Sequence, residues 1–125
     1  MKRREFIISA IATGTAITLG SPAWAASRSG NFKGDAGHTV SGGVTLNDDG
    51  TITMTSNFSF DGAPDPRVSL GKKGKHVKGT DFSVLKKNSG SQTYKAPANL
   101  KAKDYDSVII WCRKYSVQLG HAKIR

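Results

Sequence analysis

The chain has 125 residues, 19 Lys+Arg against 9 Asp+Glu, a formal net charge of +10, and one cysteine. That length accommodates one small domain plus whatever its ends carry. A single cysteine excludes an internal disulfide, and the missing Cys-x-x-Cys-His motif excludes covalently attached haem.

The first 25 residues, MKRREFIISAIATGTAITLGSPAWA, read as a cleavable export signal. They have a basic start, an apolar middle and a small-residue end, with cleavage expected after Ala25. The apolar middle is broken by Thr and Gly and falls short of the ~20 residues needed to span a bilayer. No membrane anchor is therefore expected once the signal is removed. Arg3 and Arg4 precede Phe6 and Ile7 in a pattern resembling the twin-arginine motif R-R-x-F-L. The resemblance implies export in the folded state; an ordinary secretory signal is the plainer alternative. Either route leads to the periplasm or the cell exterior.

Residues 26–125 form the mature domain. Losing Lys2, Arg3, Arg4 and Glu5 leaves it with 16 Lys+Arg, 8 Asp+Glu and a net charge of +8. Such a charge favours acidic partners such as polyanions, anionic head groups or an acidic redox protein. The lysine-rich stretches 71–79 and 95–103 contain few aromatics. Nucleic-acid binding would need such rings as stacking platforms and is not expected. Small exported domains commonly pair their cysteines, so the lone Cys112 marks a reactive thiol, a ligand or a core residue. About 100 residues can bury a working core without a disulfide.

Along the mature chain, alternation of period two recurs between Gly, Asn, Asp and Pro. HTVSGGVTLN places Val40, Val44 and Leu46 on one face. After a hairpin turn at NDDG, residues 47–50, GTITMTSNFSFDG places Ile52, Met54, Phe58 and Phe60 on one face. The rigid connection DGAPDPR follows, with Pro64 and Pro66 fixing their own backbones. Further strands are expected at RVSLG (67–71), FSVLK (82–86), SQTYKA (91–96), DSVIIWCRKYSV (106–117) and GHAKIR (120–125). Seven or eight mostly antiparallel strands at this spacing predict a single compact all-β sandwich or flattened barrel. In the cysteine strand, Val108, Ile110 and Cys112 share one side, with Lys114 after them. Ile109, Trp111, Arg113 and Tyr115 share the other. A strand apolar on both faces is expected to be central or covered.

Chemistry-bearing residues are sparse. A thiolate at Cys112 would gain reactivity if the charge of Lys114 reached it, whereas burial among Val and Ile would leave it inert. A blue-copper site needs two histidines, a cysteine and a weak axial ligand, for which His38, His76, His121, Cys112 and Met54 are the available residues. The compact cupredoxin loop is missing, since the first histidine after Cys112 is nine residues on. Met54 reads as core, and His76, in a lysine-rich loop, as solvent-exposed. A structural zinc site would want four closely spaced ligands, which are not here. Neither haem nor copper is supported by a motif, and no cofactor is assigned. There is no G-x-S-x-G elbow. Asp61 and Asp65, like Asp104 and Asp106, could serve as carboxylate pairs or Ca²⁺ ligands, though the commoner role of such residues is to bond their own backbone in Asx-turns. A redox carrier or accessory domain is expected rather than a hydrolase or transferase.

The blocks GDAGHTVSGGVTL, NFSFDGAPDPRVSLG, GTDFSVLKKNSGSQTY and DYDSVIIWCRKYSVQLG resemble the electron-transfer DM-thirteen domain family. They cover residues 30 to about 124 in order. The resemblance implies a compact β-rich extracytoplasmic domain. It also implies a redox role for the cysteine, which maps to Cys112. Larger members place this domain beside haem-binding sensor domains and membrane cytochrome b modules. No such second domain is expected beside this one, and an electron-transfer partner is expected to be a separate protein.

Two readings follow. In the first, Cys112 is a redox centre with Asp61, Asp65, Trp111 and Tyr115 as neighbours, and the basic surface guides an acidic redox protein or membrane cytochrome. In the second, the domain binds a polyanion, a cell-wall polymer or a protein, and Cys112 is core packing.

Overall fold

A computed structural model describes residues 27–125; the signal segment with Arg3, Arg4 and the Ala25 boundary lies outside the described residues. Twelve strands run in chain order: β1 Ser27–Asn31, β2 Lys33–Gly34, β3 Val40–Ser41, β4 Gly43–Asn47, β5 Thr51–Met54 and β6 Ser59–Phe60. They continue with β7 Pro66–Lys72, β8 Lys75–His76, β9 Ser83–Val84, β10 Gln92–Lys95, β11 Ser107–Cys112 and β12 Val117–Lys123. Five of them (β2, β3, β6, β8 and β9) are two residues long. Seven longer strands remain, but not the expected set: FSVLK (82–86) is reduced to the two-residue β9, and β1 at Ser27–Asn31 is not among those expected. Two-residue strands are too short for alternation to reveal.

All pairings are antiparallel. One sheet has the order β1-β4-β5-β10, a second β2-β12-β11-β7-β8 with β9 also on β7, and β3 pairs with β6 alone. The sheets are open and no barrel closes. Val44, Leu46, Ile52, Met54 and Tyr94 from the first sheet meet Val68, Leu70, Val108, Ile110, Leu119 and Ala122 from the second in one apolar cluster. Phe32 and Phe58 pack edge-to-face beside it, with ring centroids 5.4 Å apart. This is the all-β sandwich that the alternation predicts. The NDDG turn closes as expected, with the Gly50 N–H donating to the Asn47 carbonyl at 2.9 Å. No helix among the described residues is long and apolar enough to cross a membrane.

Two further segments depart from the expected strands. β11 stops at Cys112, and Arg113 to Ser116 form the loop of a hairpin in which Cys112 faces Val117. Ser116 adopts a left-handed φ of 51°, which turns the chain. Lys114 and Tyr115 therefore leave the strand and project from its tip, not along the two faces of β11. In β12 the register slips after the Ile110–Gly120 pair, so that Trp111 faces Gln118 and Leu119 is the extra residue. Such a bulge shifts the alternation by one. Leu119, Ala122 and Ile124 all reach the core despite their mixed parity. Gln118, His121 and Lys123 turn outward together.

Candidate functional site

β11 is the central strand of the second sheet, flanked by β7 and β12. Its inner residues Val108, Ile110 and Cys112 belong to the core, and Cys112 is 1% exposed. The free thiol sits at the strand end, where Cys112 pairs with Pro66 on β7 and with Val117 on β12. On the outer face, Ile109 is buried and Trp111 half-buried.

What covers that outer face is the β7–β8 hairpin. β7 doubles back so tightly that a Cβ placed on Gly71 would lie 2.2 Å from the Lys75 carbonyl oxygen and 2.8 Å from Ile109 Cγ1. Only glycine leaves room for this crossing. The hairpin is then latched at three places. The Gly74 N–H donates to Ser107 Oγ at 2.7 Å, and the Lys73 N–H donates to Asp106 at 2.6 Å. The Gln118 side chain accepts from the His76 N–H at 2.9 Å and donates to the Gly74 carbonyl at 2.8 Å.

The latch lays the His76 ring flat on Trp111, with centroids 3.8 Å apart and planes 9° apart. His76 is therefore not the solvent-exposed loop residue expected from its lysine-rich surroundings. Its side chain is only 9% exposed, because the hairpin folds inward over the sheet. Its Nε2 lies 3.1 Å from Asp81, and Gln118 also donates to Asp35 at 2.9 Å. The same Asp35 oxygen lies 2.7 Å from His121 Nδ1. Asp81, His76, Gln118, Asp35 and His121 thus form one polar chain across the outer face. A groove of about 620 Å³ opens beside it, lined by Trp111, His76, Lys78, Asp81, Arg113 and Ser116.

Of the predicted site residues, Cys112 and Trp111 are adjacent on β11 but face opposite sides of the sheet. Asp65 lies beside the same strand end: its carbonyl accepts from the Arg113 N–H at 3.1 Å and its carboxylate from Arg67 Nε at 2.9 Å. Asp61 is engaged elsewhere, 2.9 Å from His38 Nδ1 and accepting from the Thr39 N–H at 3.0 Å. Those two hydrogen bonds, that of His38 foremost, hold its carboxyl below the usual aspartate range. Tyr115 is 62% exposed at the hairpin tip, with Lys114 Nζ 5.5 Å from its ring centre. Of the metal-ligand candidates, Cys112 and Met54 lie in the core, and each of the three imidazoles has its own aspartate partner. No group of three or more His, Cys, Asp and Glu among the described residues is placed to hold a metal ion. Sequence reasoning missed Asp81, Gln118 and Asp35. The available signal was the parity shift from Val117 and Leu119 to Ala122 and Ile124, which places Gln118 and His121 on one face.

Residues 31–124 match the family described as Electron transfer DM13. The chain belongs to the DM13 family. No curated protein and no solved structure matches it. The DM13 match spans β2 through β12 and includes Cys112, Trp111 and the whole latch of the β7–β8 hairpin.

Proposed function

We propose that this DM13 protein is an exported electron-transfer accessory domain in which Cys112 is the redox centre and an acidic redox protein or membrane cytochrome is the partner. The supporting observation is the arrangement at one strand end. Cys112 points into the core, while its chain neighbour Trp111 faces a groove that also contains the cations Lys78 and Arg113. A partner seated on that groove is separated from the sulfur by the indole and one residue of backbone. The two cations favour an acidic docking face, and the field of the basic domain raises the encounter rate.

A second reading has a specific observation behind it. At 1% exposure, among Val108, Ile110 and Leu119, Cys112 has the setting of a packing residue. The domain would then bind a polyanion, a cell-wall polymer or a protein without redox chemistry.

One experiment separates the two: an absorption spectrum, metal content and thiol titre on the folded exported protein and its Cys112→Ser variant. A visible band or stoichiometric metal that disappears in the variant makes Cys112 a ligand. A colourless, metal-free protein whose thiol reacts quickly when folded points to thiol chemistry. A thiol that reacts only after unfolding overturns the redox reading and leaves the binding module. The export route is tested by Arg3→Lys with Arg4→Lys. Twin-arginine export predicts retention in the cytoplasm, and unchanged export refutes it.

A further inference from the structure

On the same outer face of the six-stranded sheet as the Trp111 groove, but at its β2 side where β1 crosses β12, lies a second opening of about 400 Å³. It is lined by Ser29, Gly30, Asn31, Lys33, His121, Lys123 and Arg125. None of these residues is acidic. The opening is a product of the fold. β1 crosses the end of β12 so closely that a Cβ on Gly30 would lie 2.0 Å from the Lys123 carbonyl oxygen. Reciprocal backbone hydrogen bonds between Ser29 and Arg125, at 3.2 and 3.1 Å, lock the crossing.

The charges converge for a structural reason. Lys33 sits directly across from His121 in the β2–β12 pair, so both side chains share one face. Lys123 follows His121 by two residues and adds to the same row. Like charges placed together on one sheet face destabilise it unless something relieves them. Across β11, the residues facing His121 and Lys123 are Ile109 and Ser107, which carry no charge. Among the described residues, the side chains of Lys33, Lys123 and Arg125 make no ion pair and no hydrogen bond. Asp35 holds Nδ1 of His121 from behind, which leaves Nε2 as the free ring nitrogen. Three unpaired cations around a seam of this size match a multiply charged oxyanion better than a single carboxylate, because charge-assisted hydrogen bonds to phosphate are strong and numerous.

We infer that the seam between β1 and β12 binds a phosphate group, through Lys33, Lys123 and Arg125 with His121 as a polar wall. Two sources share this chemistry, the free ion and the phosphate monoester of a lipid head group.

The test uses the folded full chain and two probes at constant ionic strength. One is inorganic phosphate against chloride, followed by amide shifts. The other is sedimentation with phosphatidylcholine vesicles, with and without phosphatidic acid. Free phosphate as ligand predicts saturable shifts confined to Gly30, Asn31, Lys33 and Lys123, absent with chloride. A head group as ligand predicts co-sedimentation only with phosphatidic acid. In either case Lys33→Gln with Lys123→Gln should weaken binding by about tenfold or more. Lys87→Gln, an exposed lysine outside the seam, should leave binding unchanged. All three lysines are exposed, so the variants keep the core intact and circular dichroism checks it. The proposal fails if neither probe binds beyond the chloride and neutral-vesicle controls. It also fails if the double variant binds as the parent does, or if Lys87→Gln weakens binding as much as the double variant.

Discussion

Cys112 and Asp106 show how differently two residues near one strand behave. Cys112 ends β11 inside the core, and Cys112→Ser would bury a hydroxyl where a thiol packed against apolar neighbours. We expect a loss of about 1–3 kcal/mol in stability from the desolvated hydroxyl, read as a lower urea midpoint at unchanged slope. Cys112→Ala leaves a small void without that polar penalty and should cost less. Asp106 immediately precedes β11 and anchors the turn of the β7–β8 hairpin. Burial pushes its carboxyl up, but hydrogen bonds from the Lys73 N–H and the Ser107 hydroxyl outweigh burial and hold it below the usual range. Its folded value is therefore lower than its unfolded one. The stabilisation is fully present above the ordinary aspartate value of about 3.9 and is lost as pH falls through the folded value. Urea midpoints measured from pH 6 down to pH 2 should fall in the parent. In Asp106→Asn the acid-side decline should be shallower; an identical decline would show that Asp106 contributes nothing to it.

Among the elements, the β7–β8 hairpin controls the candidate groove. Its latch rests on Gly71, which permits the crossing, and on Gln118, which joins β8 to β12. Gly71→Ala forces a Cβ against the Lys75 carbonyl and should lift His76 off Trp111, changing the indole fluorescence and costing about 1–3 kcal/mol. Gln118→Ala leaves the backbone in place but removes the acceptor of the His76 N–H. Hydrogen exchange at His76 should then speed up while the core amides of β11 stay protected, since local opening need not follow global unfolding. Equal acceleration at both would mean that the hairpin has no independent motion. This hairpin was also the least legible element in the sequence. A run of lysine, glycine and one histidine carries no alternation, and its fold is set by contacts with Ser107 and Gln118, more than thirty residues away. β1 was invisible for the same reason: SRSGN has no apolar residue to mark a face. By contrast, the strands carrying Val44, Leu46, Ile52 and Met54 were readable because burial on one face imposes period two.

For the whole molecule, charge governs encounter. A domain with a net charge of +8 in residues 26–125 should associate with an acidic redox protein at a rate that falls by about tenfold or more between low and physiological salt. Stopped-flow measurements across that range test this, and a flat profile would remove electrostatic steering from the proposed function. The same lysines serve different surfaces, because the sandwich distributes them. Lys78 lines the Trp111 groove and Lys123 the β1–β12 seam.

By itself the sequence determined the all-β class, the longer strands other than β1, the inward set that includes Cys112, the basic charge and the family likeness. These depend on side-chain period and composition, which are local properties. Only the tertiary structure decided that His76 is stacked on Trp111, that Asp61 belongs to His38, and that Tyr115 stands at a hairpin tip. It also decided that Lys33 and Lys123 meet across a seam. Each of these depends on where a turn, a bulge or a close backbone crossing places residues distant in the chain. Such events are settled by contacts between residues far apart in the chain, and no local pattern records them.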